Sequence, residues 1–332
     1  MQPTKPIVVA FMTVACVLTT EFLALRLYNL HYGGGGAIEA AHPDYLQQSM
    51  AITCPARILV ETPWATPCGQ RPLVGRKGKK HSIGCVMMGT AYGGYEMPDP
   101  LCFLNPGDVY YGFGVGEDMS YDLVMLAKYN LTVRLFDPTP RPVEHVEAVK
   151  TVIDSGKPPS ATGSTYKFKG ETREISGNYP AQDFFTNVIK LGIDSQRIIY
   201  RPWALGAEDG LTQFTPPSTG VSHVLKSGKD AFNVTARSIQ SIMEEFGDEK
   251  VSILKMDIEG HEVHVIPQLV KMWETRPRSQ WPRVLVIDMD SRRDGHPNKD
   301  EQKGNACIAL LKGMGYIEFS LISMDLVLVL GS

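Results

Sequence analysis

The chain has 332 residues, 43% of them apolar and 21% charged, with a formal net charge of −3. That length suits one α/β domain of about 250 residues plus an extension. A charge this close to neutral excludes a strongly basic surface as the organising feature, so no nucleic-acid partner is expected.

From Ile7 to Leu25 the sequence is mostly apolar and carries one charge, Glu21. As a helix rising about 1.5 Å per residue, this run nearly crosses a hydrocarbon core of about 30 Å. The bulky residues from Arg26 to Leu30 offer no small-x-small cleavage site. An uncleaved signal anchor over residues 1–27 is therefore favoured over a cleaved signal or a buried helix. The expectation is a single-pass type II membrane protein with its body in the ER or Golgi lumen. Two sequons, at Asn130 and Asn233, and four cysteines, Cys54, Cys68, Cys85 and Cys102, agree with an oxidising, glycosylating compartment. The absence of a C-x-x-C spacing argues against structural zinc.

Residues 28–81 read as a stem: a glycine joint at Gly33–Gly36, scattered prolines, and a basic run from Arg76 to His81. The body is expected over residues 82–332. Its first main strand begins at Val109, followed by a helix from Ser120 to Tyr129, a strand from Leu131 to Phe136 and a helix from Pro142 to Ile153. Residues 155–180 read as a hairpin or long loop. A third strand starts at Ile198, a helix is expected from Thr235 to Phe246, and a fourth strand from Val251 to Asp257. Beyond these come a helix over His261–Trp273, a fifth strand over Arg283–Asp290, a helix over Glu301–Met314 and two closing strands before Leu330. Alternating strands and helices imply a mostly parallel sheet covered by helices on both faces. The closing pair is joined too tightly for a crossover and should be antiparallel.

Two stretches carry chemistry. Gly112, Gly114 and Gly116 follow the first strand and precede a helix, where glycine lets backbone turn tightly against a ligand. Asp137 lies at the end of the next strand, in register to accept from ribose hydroxyls. The G-x-G-x-x-G register for a dinucleotide fails, because Glu117 takes the last glycine's place and would repel a pyrophosphate. G-x-G-x-G followed by acids suits a phosphate-free cofactor such as S-adenosylmethionine. In the second stretch, an apolar strand ends in Asp257, with Glu259 and Gly260 before a helix. Strand ends of this kind face the ligand crevice, although acids also cap helices. His261 and His264 follow on the helix.

Together, Tyr111-Gly-Phe-Gly-Val-Gly116, Phe136-Asp-Pro-Thr-Pro140 and Leu254-Lys-Met-Asp-Ile-Glu-Gly-His-Glu262 resemble the FkbM-like class I S-adenosylmethionine methyltransferases, in particular a membrane-anchored branch. The resemblance spans about residues 82 to 330. It implies a Rossmann-like, seven-stranded sheet with an antiparallel closing strand. It also implies that Gly112, Phe113, Gly114 and Gly116 hold the methionine part of the cofactor, Asp137 the ribose, and Ala204, Leu205 and Asp209 the adenine edge. The fifth strand departs from the family's Glu-x-His pattern, reading Ile287-Asp-Met-Asp290, which bears on the acceptor side.

The expected reaction is methyl transfer to a hydroxyl of a small-molecule or glycan acceptor, with Asp257 or Glu259 as base. Metal-free chemistry is favoured and no metal ligand is assigned, although Asp257, Glu259 and Asp290 are hard oxygen donors suited to Mg²⁺ or Ca²⁺. The alternatives are a nicotinamide-dependent oxidoreductase and an inactive, membrane-tethered binding module.

Overall fold

Short strands, those over Ile253–Met256 and Val284–Asp288 buried at every residue, alternate along this chain with helices. The computed structural model describes residues 63–74, 80–98, 104–215, 224–225, 231–322 and 324–331. The apolar run at residues 7–25, the glycine joint, Cys54, Cys102 and residues 28–62 of the expected stem lie outside the described residues. No helix among the described residues is long and apolar enough to cross a membrane.

Strands β1 (Ala65–Val74), β2 (Lys80–Met88) and β3 (Tyr95–Pro98) form an antiparallel sheet in that order. Then come β4 (Val109–Phe113), α1 (Ser120–Tyr129), β5 (Thr132–Phe136) and α2 (Pro140–Ser155). A small meander, β6 (Ala161–Thr162), β7 (Thr165–Phe168) and β8 (Glu171–Glu174), leads into α3 (Ala181–Lys190). β9 (Ile198–Arg201), β10 (Trp203–Leu205), β11 (Gly210–Thr215), β12 (Val224–Leu225) and β13 (Phe232–Arg237) precede α4 (Ile239–Phe246). The chain continues through β14 (Ile253–Met256), α5 (Glu262–Glu274), β15 (Val284–Asp288) and α6 (Glu301–Gly313). It closes with β16 (Tyr316–Ile322) and β17 (Asp325–Leu330).

The central sheet has seven strands in the order β16-β17-β15-β14-β4-β5-β9. Its β15-β14-β4-β5-β9 part is parallel, and β17 runs antiparallel to both β15 and β16. This mixed α/β architecture, with its seven-stranded and mostly parallel sheet, is compatible with a Rossmann-like fold. Period-two alternation divides the strand side chains into two clusters. Tyr110, Val133, Leu135, Ile253 and Val286 pack with Tyr121 and Val124 of α1, Val149 of α2 and Phe184 of α3. Tyr111, Phe113, Leu254, Met256 and Ile287 pack with Ile242 of α4, Ile266 of α5 and Leu311 of α6. Within α5, Pro267 has no N–H to give the carbonyl of Val263, and the thiol of Cys307 reaches that oxygen at 3.9 Å.

Four expectations change. Residues 63–81 were assigned to the stem, yet β1 and the start of β2 belong to the folded body. Trp64 is buried against Phe184, with ring centroids 5.3 Å apart. A disulfide joins Cys68 to Cys85 across this sheet. The reason lies in α1, which is buried on nearly every side, so a single sheet face cannot cover it. Tyr121 meets Tyr95 edge-on at 5.1 Å and donates to the Met97 sulfur at 3.4 Å.

The helix expected from Thr235 begins only at Ile239. Residues 232–237 alternate in burial and pair with β10 and β11 as a strand, and Ser238 caps the helix by accepting from the Ser241 amide at 3.3 Å. The strand expected from Ile198 to Gly206 breaks at Pro202, which has no amide hydrogen for a ladder. β9 stays in the central sheet while β10 joins a second, four-stranded sheet. Finally, α3 had no counterpart among the expected elements, although Ala181, Phe184, Phe185 and Val188 carry helical spacing and are all buried.

Trp64→Ala should lower stability by about 3–5 kcal/mol, the cost of truncating a buried Trp. Urea unfolding reads this directly, whereas a stem residue would change the midpoint by less than about 0.5 kcal/mol.

Candidate functional site

A cleft of about 280 Å³ opens at the carboxyl ends of β4, β5, β14 and β15. Parallel sheets place ligand sites at this end, because loops of different strands meet there.

The glycine loop after β4 is fixed from both sides. Asp137, at the end of β5, accepts from the amides of Val115 (3.0 Å) and Gly116 (3.2 Å) through one carboxylate oxygen. Its other oxygen accepts from the Thr139 amide (3.0 Å) and hydroxyl (2.6 Å). Burial pushes the Asp137 carboxyl upward, and these four hydrogen bonds oppose that shift. On the other side, Lys255 of β14 donates to the carbonyl of Gly114 at 2.7 Å. Gly114 has φ +77°, and a Cβ there would stand 1.9 Å from the carbonyl oxygen of Asp257, so only glycine lets these two loops touch. Gly116 needs glycine for its φ of +57° and faces open space.

Two acids thus fill the positions where a bound anion would sit. Asp137 takes the loop amides, and Asp118 accepts from the Ser120 amide at 2.9 Å at the start of α1. Asp118 also accepts from the hydroxyl of Thr90. Glu117 is buried in the cleft wall, accepting from Arg141 and from the Ser176 hydroxyl. Burial raises its pKa, and Ser176 and Arg141 oppose the rise. Glu117 was expected to repel a pyrophosphate, but Arg141 compensates its charge. The obstacle to phosphate lies instead in Asp118 and Asp137.

One end of the cleft is aromatic. Phe113 stacks on Phe136 with centroids 4.6 Å apart, and Phe136 stacks on Trp203 at 6.1 Å. Ala204 and Leu205 complete this wall, and Phe214 of β11 lies at its rim. The other end is acidic. Asp257, Glu259, Asp288, Asp290 and Asp325 all line it, with Arg293 between them. Arg293 contacts Asp288 at 2.7 Å and Asp290 at 2.8 Å. Burial first, and Asp257 second, push the carboxyls of Asp288 and Asp290 upward, and Asp325 up to about 6. Glu259 has a left-handed backbone, φ +57°. His296 meets its carboxylate at 3.2 Å, and Asn298 donates to its carbonyl at 2.8 Å. His261 also lines the cleft, its pKa lowered to about 4 by burial and by His264.

Most expected site residues therefore meet in one cleft: Phe113, Gly114, Gly116, Asp137, Ala204, Leu205, Asp257 and Glu259. Two do not. Gly112 lies beneath the loop, where a Cβ would stand 2.6 Å from the Tyr110 hydroxyl and 2.8 Å from Asp122. It makes room for the buried hydrogen bond between those side chains. Asp209 is exposed and accepts from the Ser238 amide at 2.7 Å at the start of α4. Asp137 lines the cleft, but its expected ribose role conflicts with its four hydrogen bonds, which use the acceptor sites of a carboxylate. Asp290 stands on the turn after β15, and Asp288 ends that strand.

Lys255, Arg141, Trp203, Asp288, Arg293 and Asp325 were missed. Lys255 and Asp288 had a readable signal, since each is a charge in a strand that is otherwise apolar. Asp325 and Arg293 had none, because their neighbours come from distant strands.

Asp137→Ala should destabilise the ligand-free protein by about 1–3 kcal/mol, since it frees buried loop amides. Chemical denaturation without ligand tests this. A residue serving ribose alone would leave that stability unchanged.

Compared with known protein families, residues 158–316 match the Methyltransferase FkbM domain. That stretch contains β14, β15 and, of the acidic end of the cleft, Asp257, Glu259, Asp288 and Asp290; the glycine loop and Asp137 precede it, and Asp325 follows it. No curated protein and no solved structure matches the chain.

Proposed function

We propose, from the match of residues 158–316 to the Methyltransferase FkbM domain, that the chain transfers a methyl group from S-adenosylmethionine to a hydroxyl of a small-molecule or glycan acceptor. The observation that carries the choice of cofactor is the occupation of both anion positions at the glycine loop by Asp118 and Asp137. A nicotinamide dinucleotide would bring its pyrophosphate against these carboxylates. S-adenosylmethionine brings no phosphate, and its sulfonium and ammonium are attracted to them.

The residues present fit this cofactor. Gly116 faces open space and leaves that point of the loop without a side chain, which permits close approach. The Phe113, Phe136 and Trp203 wall, with Ala204 and Leu205, suits a flat heterocycle such as adenine. When bound, S-adenosylmethionine supplies an electrophilic methyl group. The chain's own residues orient the acceptor and take its proton. Asp257 and Glu259 stand at the meeting of the glycine loop and the acidic end, so either carboxylate is positioned to receive a hydroxyl proton. His296 and Asn298 orient Glu259 for that task. The row of carboxylates facing Tyr92 and Tyr95 supports a polyhydroxylated acceptor, which offers several donors and an apolar ring face.

Calorimetry should show that the full chain binds S-adenosylmethionine and not a nicotinamide dinucleotide. Asp257→Asn should abolish transfer of labelled methyl to fractionated cell extracts while cofactor affinity stays within about tenfold, or 1.4 kcal/mol. A fully active Asp257→Asn protein would remove Asp257 from the chemistry, and preference for the dinucleotide would overturn the cofactor.

We further propose that the body resides in the secretory lumen. The Cys68–Cys85 disulfide supports an oxidising compartment. Both sequon asparagines, Asn130 and Asn233, are exposed and accessible to glycosylation. Glycosidase treatment of protein expressed in animal cells should increase its gel mobility. An unchanged band, together with full protease sensitivity in sealed microsomes, would place the body in the cytosol.

A further inference from the structure

We propose that Asp257, Asp288 and Asp290 bind a hard divalent cation of the Mg²⁺, Ca²⁺ or Mn²⁺ class at the acidic end of the cleft. One ligand atom from each of these side chains lies within 4.8 Å of the other two. Two oxygens on opposite sides of one Ca²⁺, bonded at about 2.3–2.6 Å, stand about 4.6–5.2 Å apart, so a single ion reaches all three groups with little side-chain movement. All three donors are carboxylates, which selects hard cations over zinc or copper.

A cluster of acids on a surface needs no ion, because water solvates it. Here the surroundings differ. Asp288 is 9% exposed and Asp290 is 1% exposed. Arg293 takes one oxygen of each, at 2.7 and 2.8 Å, and brings one positive charge to two carboxylates. The second oxygen of Asp288, Oδ1, is buried with no hydrogen-bond partner, and Asp288 lines the cleft. A buried carboxylate oxygen without a donor is costly, and a cation in the cleft would satisfy it. Asp257 adds a third carboxylate from the end of the neighbouring strand β14, half-buried on the same cleft wall. The parallel pairing of β14 with β15 sets this juxtaposition, because the last registered pair is Met256 with Ile287 and an aspartate follows each of them.

The cation site stands on these contacts alone. Its role rests on the methyl-transfer reading: a cation there would coordinate the acceptor hydroxyl and lower its pKa, so that a neighbouring carboxylate takes the proton more readily.

The test uses the full chain, stripped with EDTA and titrated with Mn²⁺, with bound ion read from loss of the free Mn²⁺ resonance signal. One site per chain is expected, displaced by excess Mg²⁺ or Ca²⁺. Asp288→Asn should weaken Mn²⁺ binding at least tenfold, and thermal unfolding without metal checks that this variant folds. Asp257→Asn, on a half-exposed side chain, should weaken binding similarly and keeps the test valid if Asp288→Asn is unfolded. Asp154→Asn, on an exposed position of α2, should leave binding unchanged. Absence of Mn²⁺ binding by the wild-type chain, or equal binding by the site variants, overturns the proposal, the latter as an adventitious ion only. S-adenosylmethionine calorimetry on the EDTA-stripped chain is read separately. Binding there without a metal site would sink the cation alone, and its absence beside intact Mn²⁺ binding would sink the cofactor alone.

Discussion

The hydrogen bonds from the glycine-loop amides to Asp137 fix the functional end of the molecule. A loop with several glycines has many conformations, and ordering it costs about 1–2 kcal/mol per residue of backbone entropy. Asp137 offsets this cost from β5, and Lys255 offsets it from β14 by holding the Gly114 carbonyl. With Gly114 pressed on the Asp257 backbone, the ends of β4, β5 and β14 become one unit. The two walls of the cleft extend from it, so their relative position is set by three strand ends rather than by surface loops.

That unit separates two environments. On one side the aromatic wall is apolar and planar. On the other, five acidic side chains crowd near one arginine, and burial first, then their mutual repulsion, raises the pKa values of Asp288, Asp290 and Asp325. A molecule with an aromatic ring at one end and a positive centre toward the other would match both. The same division explains why Lys255 is tolerated in a buried strand: its ammonium binds the loop carbonyl and faces acids that lower its burial penalty.

Much of this was legible in the sequence. Strand, glycine turn, helix and terminal acid identify β4, α1, β5 and the site at their end, because local spacing and glycine chemistry act within one stretch. The acids at Asp257 and Glu259 were legible because strand ends face the crevice. The role of Gly112 was not, since it depends on Tyr110 and Asp122 meeting below it. Asp209 was misassigned because a cap acceptor and an adenine contact look alike without coordinates. Asp137 was located correctly, but its partners were not, since they depend on the path of a loop 21 residues earlier. Of the β1–β3 sheet only the apolar run Ile83–Met88, in β2, was legible as an early strand; β1 carries prolines and exposed polar residues, and β3 is only four residues long. The sheet's necessity follows only from the burial of α1 on nearly all sides.

Glu259 sits at φ +57°, a region that disfavours L-residues other than Asn and Gly by about 1–2 kcal/mol. Its carboxylate meets His296 and its carbonyl meets Asn298, so the surrounding turn holds the backbone there. A glycine would fit that conformation with less strain, at the cost of the contact with His296. A glutamate at this position therefore marks a trade of robustness for a carboxylate aimed at the cleft. Directed evolution for thermal tolerance alone would drift toward glycine here and discard the carboxylate that lines the cleft.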